Sequence, residues 1–266
     1  MNLGASAIVL RPRPLAETLD LACRLSCGLA LGLYARLAAV VLLPCLVGCL
    51  LLRYAGGYSW TFVWAVAITL GAVTQGVFTV AVGRLLFSEE LTIGRVLRLF
   101  GRRLGSYLVM LFLSRALLAA TSLTVFLGLP FLWPRLLVVH EASLLEGASA
   151  VDSISRANRF IAGRISSAFL AILALLAIQA GIAVTAELLG QGLVGELLQL
   201  GKPFGELFKD GGSAFALTGL FLSVPYVATA RFLYYLDSRT RSDGWDVQVR
   251  FMAIAAHAAA EERQAA

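Results

Sequence analysis

The stretch ISSAFLAILALLAIQAGIAVTA, Ile165–Ala186, runs 22 residues without a charged side chain. Coiled as an α-helix, it is long enough to cross a hydrocarbon core about 30 Å thick, which takes roughly 20 apolar residues. Two further stretches have the same character. No charged residue lies between Arg53 and Arg84, and none from Gly211 to Ala230. Hydrophobic residues make up 59% of the 266, charged residues only 14%, and the mean hydropathy is +0.83. A backbone in lipid must satisfy its own hydrogen bonds, which leaves helices or closed barrels. The sequence therefore predicts an all-α fold, a polytopic membrane helix bundle of about six transmembrane helices in three hairpins, with amphipathic interfacial helices between them.

The first span is expected at Leu33–Leu52 with Pro44 inside it, the second at Tyr58–Gly83, and later ones at Ile165–Ala186 and Ser213–Leu236. Leu3–Leu10 makes a poor signal peptide, because Arg11 and Arg13 follow the apolar stretch instead of preceding it. Three regions result: an amphipathic N-terminal segment 1–32, a membrane domain 33–236 and a polar tail 237–266.

Leu104–Val139 is ambiguous, since it is too long for one crossing and short for two. Arginine placement separates the options. With two crossings, 18 of the 22 Lys and Arg fall on one side, Arg53, Lys202 and Lys209 on the other, and Arg115 stays in the membrane. With one crossing the division is 11 against 10. The positive-inside rule favours the first arrangement. It puts both termini on the cytoplasmic side and a tight reversal near Ala120–Thr124. The net charge of +6 is then attraction to anionic lipid headgroups, with no reason to invoke nucleic acid. Only Lys202 and Lys209 among the basic residues are lysine, a bias that fits a GC-rich bacterial genome as well as any function, and the expected location is the bacterial cytoplasmic membrane.

Three amphipathic, Arg-bearing stretches each end in a glycine before an apolar run: Leu15–Gly28, Leu91–Gly105 and Ala148–Gly163. They suggest three units, each an interfacial helix followed by a hairpin. Leu188–Phe208 reads as another interfacial helix, broken at Lys202-Pro203.

Residues able to carry chemistry are few. Cys23/Cys27 and Cys45/Cys49 are spaced i,i+4, which suits small packing residues better than a metal site, and no cofactor is expected. His140-Glu141 lacks the second histidine a zinc helix needs, because position 144 is Leu144. Glu141, Glu146 and Asp152 are expected to support the helix that follows, pairing with Arg156. Arg115 is the charge inside a span and by default a functional candidate. Near the outer end of its span it could snorkel outward, with Glu187 as the nearest counter-ion. At the end of the last span stand Tyr234, Tyr235, Asp237, Arg239, Arg241, Asp243, Gly244, Trp245 and Asp246. Tyr and Trp suit the headgroup level, and Arg239 and Arg241 suit lipid phosphate or a membrane protein partner.

Three segments also carry a resemblance. They are Arg11-Pro-Arg-Pro-Leu-Ala-Glu-Thr-Leu-Asp20, Val138–Glu146 with Ser155–Gly163, and Ala230–Asp246 with its Tyr-Tyr, Asp, Arg-x-Arg and acidic-Gly-aromatic-Asp pattern. They resemble the glycerophosphoryl diester phosphodiesterase membrane-domain family and related bacterial six-span proteins. Ala142 departs from the glycine frequent there. The resemblance implies a membrane domain without the soluble phosphodiesterase domain. The expected role is non-catalytic, a scaffold or accessory subunit, and the alternative is a transporter or lipid-handling protein with a path near Arg115.

Overall fold

A computed structural model describes residues 12–86, 91–124 and 129–243. Among these the regular structure is all helix, with no strand. Five helices are long and apolar enough to cross a membrane: Leu31–Tyr54, Trp60–Leu85, Ile93–Ser122, Ile165–Leu197 and Ala214–Ser242. The protein is a helical membrane protein.

Helix α1 (Leu15–Arg24) passes through a widened turn, Leu25–Leu29, into a rod formed by α2 (Leu31–Leu37) and α3 (Leu43–Tyr54). A second widened turn, Ala38–Leu42, precedes Pro44. Proline has no N–H and its ring crowds the carbonyl four residues back, so a looser turn there lets the rod continue. Helices α4 (Trp60–Leu85) and α5 (Ile93–Thr124) follow. Ser59 caps α4 by accepting from the Phe62 N–H at 3.4 Å.

The segment read as ambiguous turns back on itself. Tyr107 of α5 meets His140, and the Arg103 guanidinium donates to the Leu144 carbonyl at 2.6 Å. Chain order is therefore antiparallel on the two sides of the reversal. The turn is not at Ala120–Thr124, however, because α5 stays helical through Thr124. The return path is also not one straight helix. It comprises α6 (Leu129–Arg135), a tight turn and α7 (Val139–Glu146). In that turn Leu136, Leu137 and Val139 donate three residues back, at 3.1, 3.1 and 3.2 Å. Pro134, lacking a donor, ends the regular ladder there.

Gly147, at φ +67°, separates α7 from α8 (Ala150–Ile161). A side chain at Gly147 would also strike the Arg103 guanidinium at 2.9 Å. Ser149 caps α8 through the Asp152 N–H at 3.2 Å. Helix α9 (Ile165–Gln191) continues as a widened coil to Leu197, and the short α10 (Leu207–Asp210) leads into α11 (Ala214–Asp243).

Helix α11 is the centre of the bundle, packed most extensively against α9 and α4. It approaches α9 closely because both present small residues. A Cβ on Gly219 would lie 2.6 Å from the Ala183 Cα and 2.8 Å from the Ile182 carbonyl oxygen. The outward faces carry exposed Leu43, Val47, Phe112, Leu170 and Leu173. Aliphatic side chains are tolerated there because the surrounding solvent is lipid.

Two expectations change. The glycines that suggested three similar units are not equivalent. Gly163 breaks the chain at φ +79°, whereas Gly28 and Gly105 sit inside continuous helical stretches, so the basic start of α5 and its span are one rod. The last helix also does not stop at Leu236 but runs to Asp243, because Arg239 and Arg241 reach back one turn to Tyr235 and Asp237.

Candidate functional site

Two polar knots close the ends of the bundle, and a polar cavity lies between them. At the first end, Asp237 accepts from the Arg13 backbone N–H at 2.8 Å, the Arg164 guanidinium at 3.0 Å and the Arg241 Nε at 3.1 Å. Tyr235 donates to Glu146 at 2.6 Å and accepts from Arg239 at 3.0 Å. Glu146 also pairs with Arg156, as the sequence suggested. Tyr234 faces Ser167 at 3.3 Å. Tyr234, Tyr235 and Asp237 are buried. These residues of the expected headgroup contact therefore bind one another and hold α1, α7, α8, α9 and α11 together. Gly244, Trp245 and Asp246 lie outside the described residues.

At the opposite end, Glu187 is buried and accepts from the Gln191 amide at 3.1 Å and the Leu207 N–H at 3.0 Å, with Ser213 as a third donor. Gln191 also donates to the Gly205 carbonyl at 2.6 Å, so one carboxylate and one amide tie the loop after α9 onto the bundle. Trp64 adds a bond to the Gly211 carbonyl at 3.0 Å. Glu187 is thus a loop fastener and not the counter-ion of Arg115. The two residues were expected to meet, but Glu187 sits at the helix end while Arg115 belongs to the cavity below it. At the loop's exposed rim, Lys202 and Lys209 flank Glu206 at 2.9 and 3.2 Å and hold its carboxyl below the usual carboxylate range.

The cavity occupies about 240 Å³ among α4, α5, α6, α7, α9 and α11. It is lined near the middle of α4 by Gly71, Ala72 and Gln75, and near the middle of α9 by Ile172, Leu175 and Gln179. Arg115, His140 and Arg231 complete its polar surface. Three lining residues, Ile68, Arg115 and Leu176, are exposed, so the cavity opens on the flank of the bundle. Arg115 makes no hydrogen bond or ion pair with any described residue.

The polar wall is organised by α7. The Tyr107 hydroxyl donates to the Ala72 carbonyl at 2.8 Å and contacts His140 Nδ1 at 2.7 Å. Glu141 is fully buried, 3.8 Å from Arg231 Nε, and neither of its oxygens accepts a hydrogen bond. Arg231 in turn donates to the Leu137 carbonyl, one of those left open by the turn between α6 and α7. Glu141 therefore does not support α8 as expected; it balances the charge of an arginine in the core. The Gln75 amide nitrogen is buried without a hydrogen-bond partner, while Gln179 donates to Ser223 at 3.1 Å.

No protein-family model, curated protein or solved structure matches the chain.

Sequence reasoning found Arg115 but missed most of its company. Arg231 was counted with the charges of the cytoplasmic face, although it lines the cavity. Gln75 and Gln179 were readable as the amides near the centres of two uncharged runs. His140 and Glu141 were visible as ionisable residues directly following an apolar stretch. Nothing in the spacing shows that four different helices bring them together.

Proposed function

We propose that this protein handles an amphiphile within the bilayer, holding it in the flank-opening cavity beside Arg115 or passing it across. The observation that carries this reading is the cavity itself. A packed bundle with a purely structural role has no need of a polar chamber at the depth of its helix middles, where unpaired polar groups are costly. Its mouth lies on the side facing lipid, which favours a ligand with hydrocarbon tails over a water-soluble one. The sequence favoured a scaffold or accessory subunit; the cavity favours the lipid-handling alternative. Kinship with the glycerophosphoryl diester phosphodiesterase membrane-domain family is part of the same proposal and rests on the three sequence segments alone.

The proposed setting is the bacterial cytoplasmic membrane, with six passages and both termini cytoplasmic. The contact between Arg13 and Asp237 supports an even number of passages, since it joins the two ends of the described chain. Exposed Arg95, Arg98 and Arg102 on the start of α5 suit the anionic headgroups of the cytoplasmic leaflet.

Gly71→Leu tests the reading, because a side chain there meets only Val224, at 3.9 Å, and projects into free volume. Native mass spectrometry of the purified protein should show a retained lipid whose occupancy falls about tenfold in the variant, with the melting temperature unchanged. Equal occupancy in both proteins, together with a stoichiometric membrane protein partner, would return the reading to a scaffold.

A further inference from the structure

We infer that the cavity is an anion site, built for the monoanionic headgroup of an amphiphile of the phosphodiester or carboxylate class, gripped by Arg115 with Arg231 and Gln75. This rests on the cavity reading above and adds the chemistry of the ligand.

The lining has two arginines and no aspartate or glutamate. Glu141, 3.8 Å from Arg231 Nε, offsets one of those charges from behind the wall. One positive charge remains, and it is that of Arg115, which has no partner among the described residues. A guanidinium offers five N–H donors in a planar fork and no acceptor, so it matches a two-oxygen anion. Arg115 lies within the apolar span of α5, Ile93–Ser122, where an uncompensated charge is expensive. An anionic ligand removes that cost.

The remaining polar atoms suit the same ligand. The Gln75 side chain lines the cavity, and its amide nitrogen has a donor to give. Gln179 and Ser114, by contrast, are already committed, Gln179 to Ser223 and Ser114 to the Leu111 carbonyl at 3.0 Å. The donors left available on the lining are therefore those of Arg115, the Gln75 amide and Arg231 Nε. The volume of about 240 Å³ lies below the 300–1,000 Å³ common for pockets that enclose a whole drug-sized ligand. It suits a headgroup whose chains stay in the bilayer through the opening at Ile68 and Leu176.

The test titrates the purified full-length protein with short-chain phosphatidylglycerol, phosphatidylcholine of the same chain length, and inorganic phosphate as competitor. Binding is read from the fluorescence of Trp133, which lines the cavity. The anionic lipid should bind at least tenfold more tightly than the zwitterionic one. Arg115→Gln should remove that preference, Arg115→Lys should keep most of it, and Gln75→Leu should weaken anionic binding a few-fold. If Arg115→Gln fails to fold, the Lys and Gln75 variants carry the test. Displacement by millimolar phosphate would assign the grip to the free anion, and resistance to it would assign the grip to the tethered headgroup; both uphold an anion site. Equal affinity for the two lipids, unchanged in Arg115→Gln but abolished by Gly71→Leu, overturns the anion inference and leaves the cavity reading standing. Binding indifferent to Gly71→Leu overturns both.

Discussion

Arg13 and Asp237 are 224 positions apart in the chain, yet the backbone N–H of one donates to the carboxylate of the other at 2.8 Å. That bond does more than seal an end of the bundle. Asp237 also receives Arg164 and Arg241, so a single carboxylate gathers the starts of α1 and α9 at the last turns of α11. Removing a buried partner leaves the other charges uncompensated. Asp237→Ala should destabilise the protein by about 3 kcal/mol, read as a lower melting temperature in detergent, whereas Arg241→Ala should cost about 1 kcal/mol or less because that side chain is partly solvated.

Glu187 performs a similar task at the far end, through Gln191, Leu207 and Ser213. Glu187→Ala strands the Leu207 N–H and the Ser213 hydroxyl, at roughly 1–3 kcal/mol for each group left buried. Limited proteolysis should then cut the 198–206 loop faster while the helical core persists. Cleavage at the wild-type rate would mean that the loop is held by its apolar contacts instead.

Helix contact between α9 and α11 depends on Gly219. Gly219→Ala sets a methyl against backbone atoms at 2.6 and 2.8 Å, which only a shift of a helix can relieve. Overpacking of this kind costs about 1–3 kcal/mol. Gly71→Ala, whose new methyl would meet Val224 at an ordinary 3.9 Å, should leave the melting temperature nearly unchanged. The pair separates close helix approach from a general need for glycine in these helices.

Sidedness is testable with single cysteines in a variant whose Cys23, Cys27, Cys45 and Cys49 are replaced by serine. Tyr58, Phe208 and Val151 are all exposed, the first two at the Glu187 end and the third on α8 at the other. With six passages and cytoplasmic termini, an impermeant maleimide should label Tyr58→Cys and Phe208→Cys in intact cells, and Val151→Cys only after permeabilisation. Labelling of all three in intact cells would refute that topology.

Arginine placement led to the expectation that Leu104–Val139 doubles back, and the structure shows an antiparallel return beside α5. The form of the return was not legible in the sequence. Pro130 and Pro134 mark a disturbed stretch, but whether it becomes a straight helix or a helix–turn–helix depends on what accepts and donates around it. Here Arg231 satisfies the Leu137 carbonyl, and Arg231 is contributed by a helix distant in sequence. Removing Arg231 from the charges assigned to the cytoplasmic face leaves the asymmetry of 18 against 3 nearly intact.

Hydrophobic run length and arginine bias by themselves determined that this chain enters a membrane as helices and pointed to an even number of passages. Both are local properties, fixed by the transfer of each side chain between water and lipid. Partner choice among the polar residues was decided only in three dimensions. Asp237 has Arg164 instead of open solvent, Glu187 has Ser213 instead of Arg115, and Glu141 has Arg231 instead of the helix beside it. In a low-dielectric interior a polar group goes to whichever partner the packing of helices brings within reach, and that packing is set by small residues such as Gly219 far along the chain from the charges concerned.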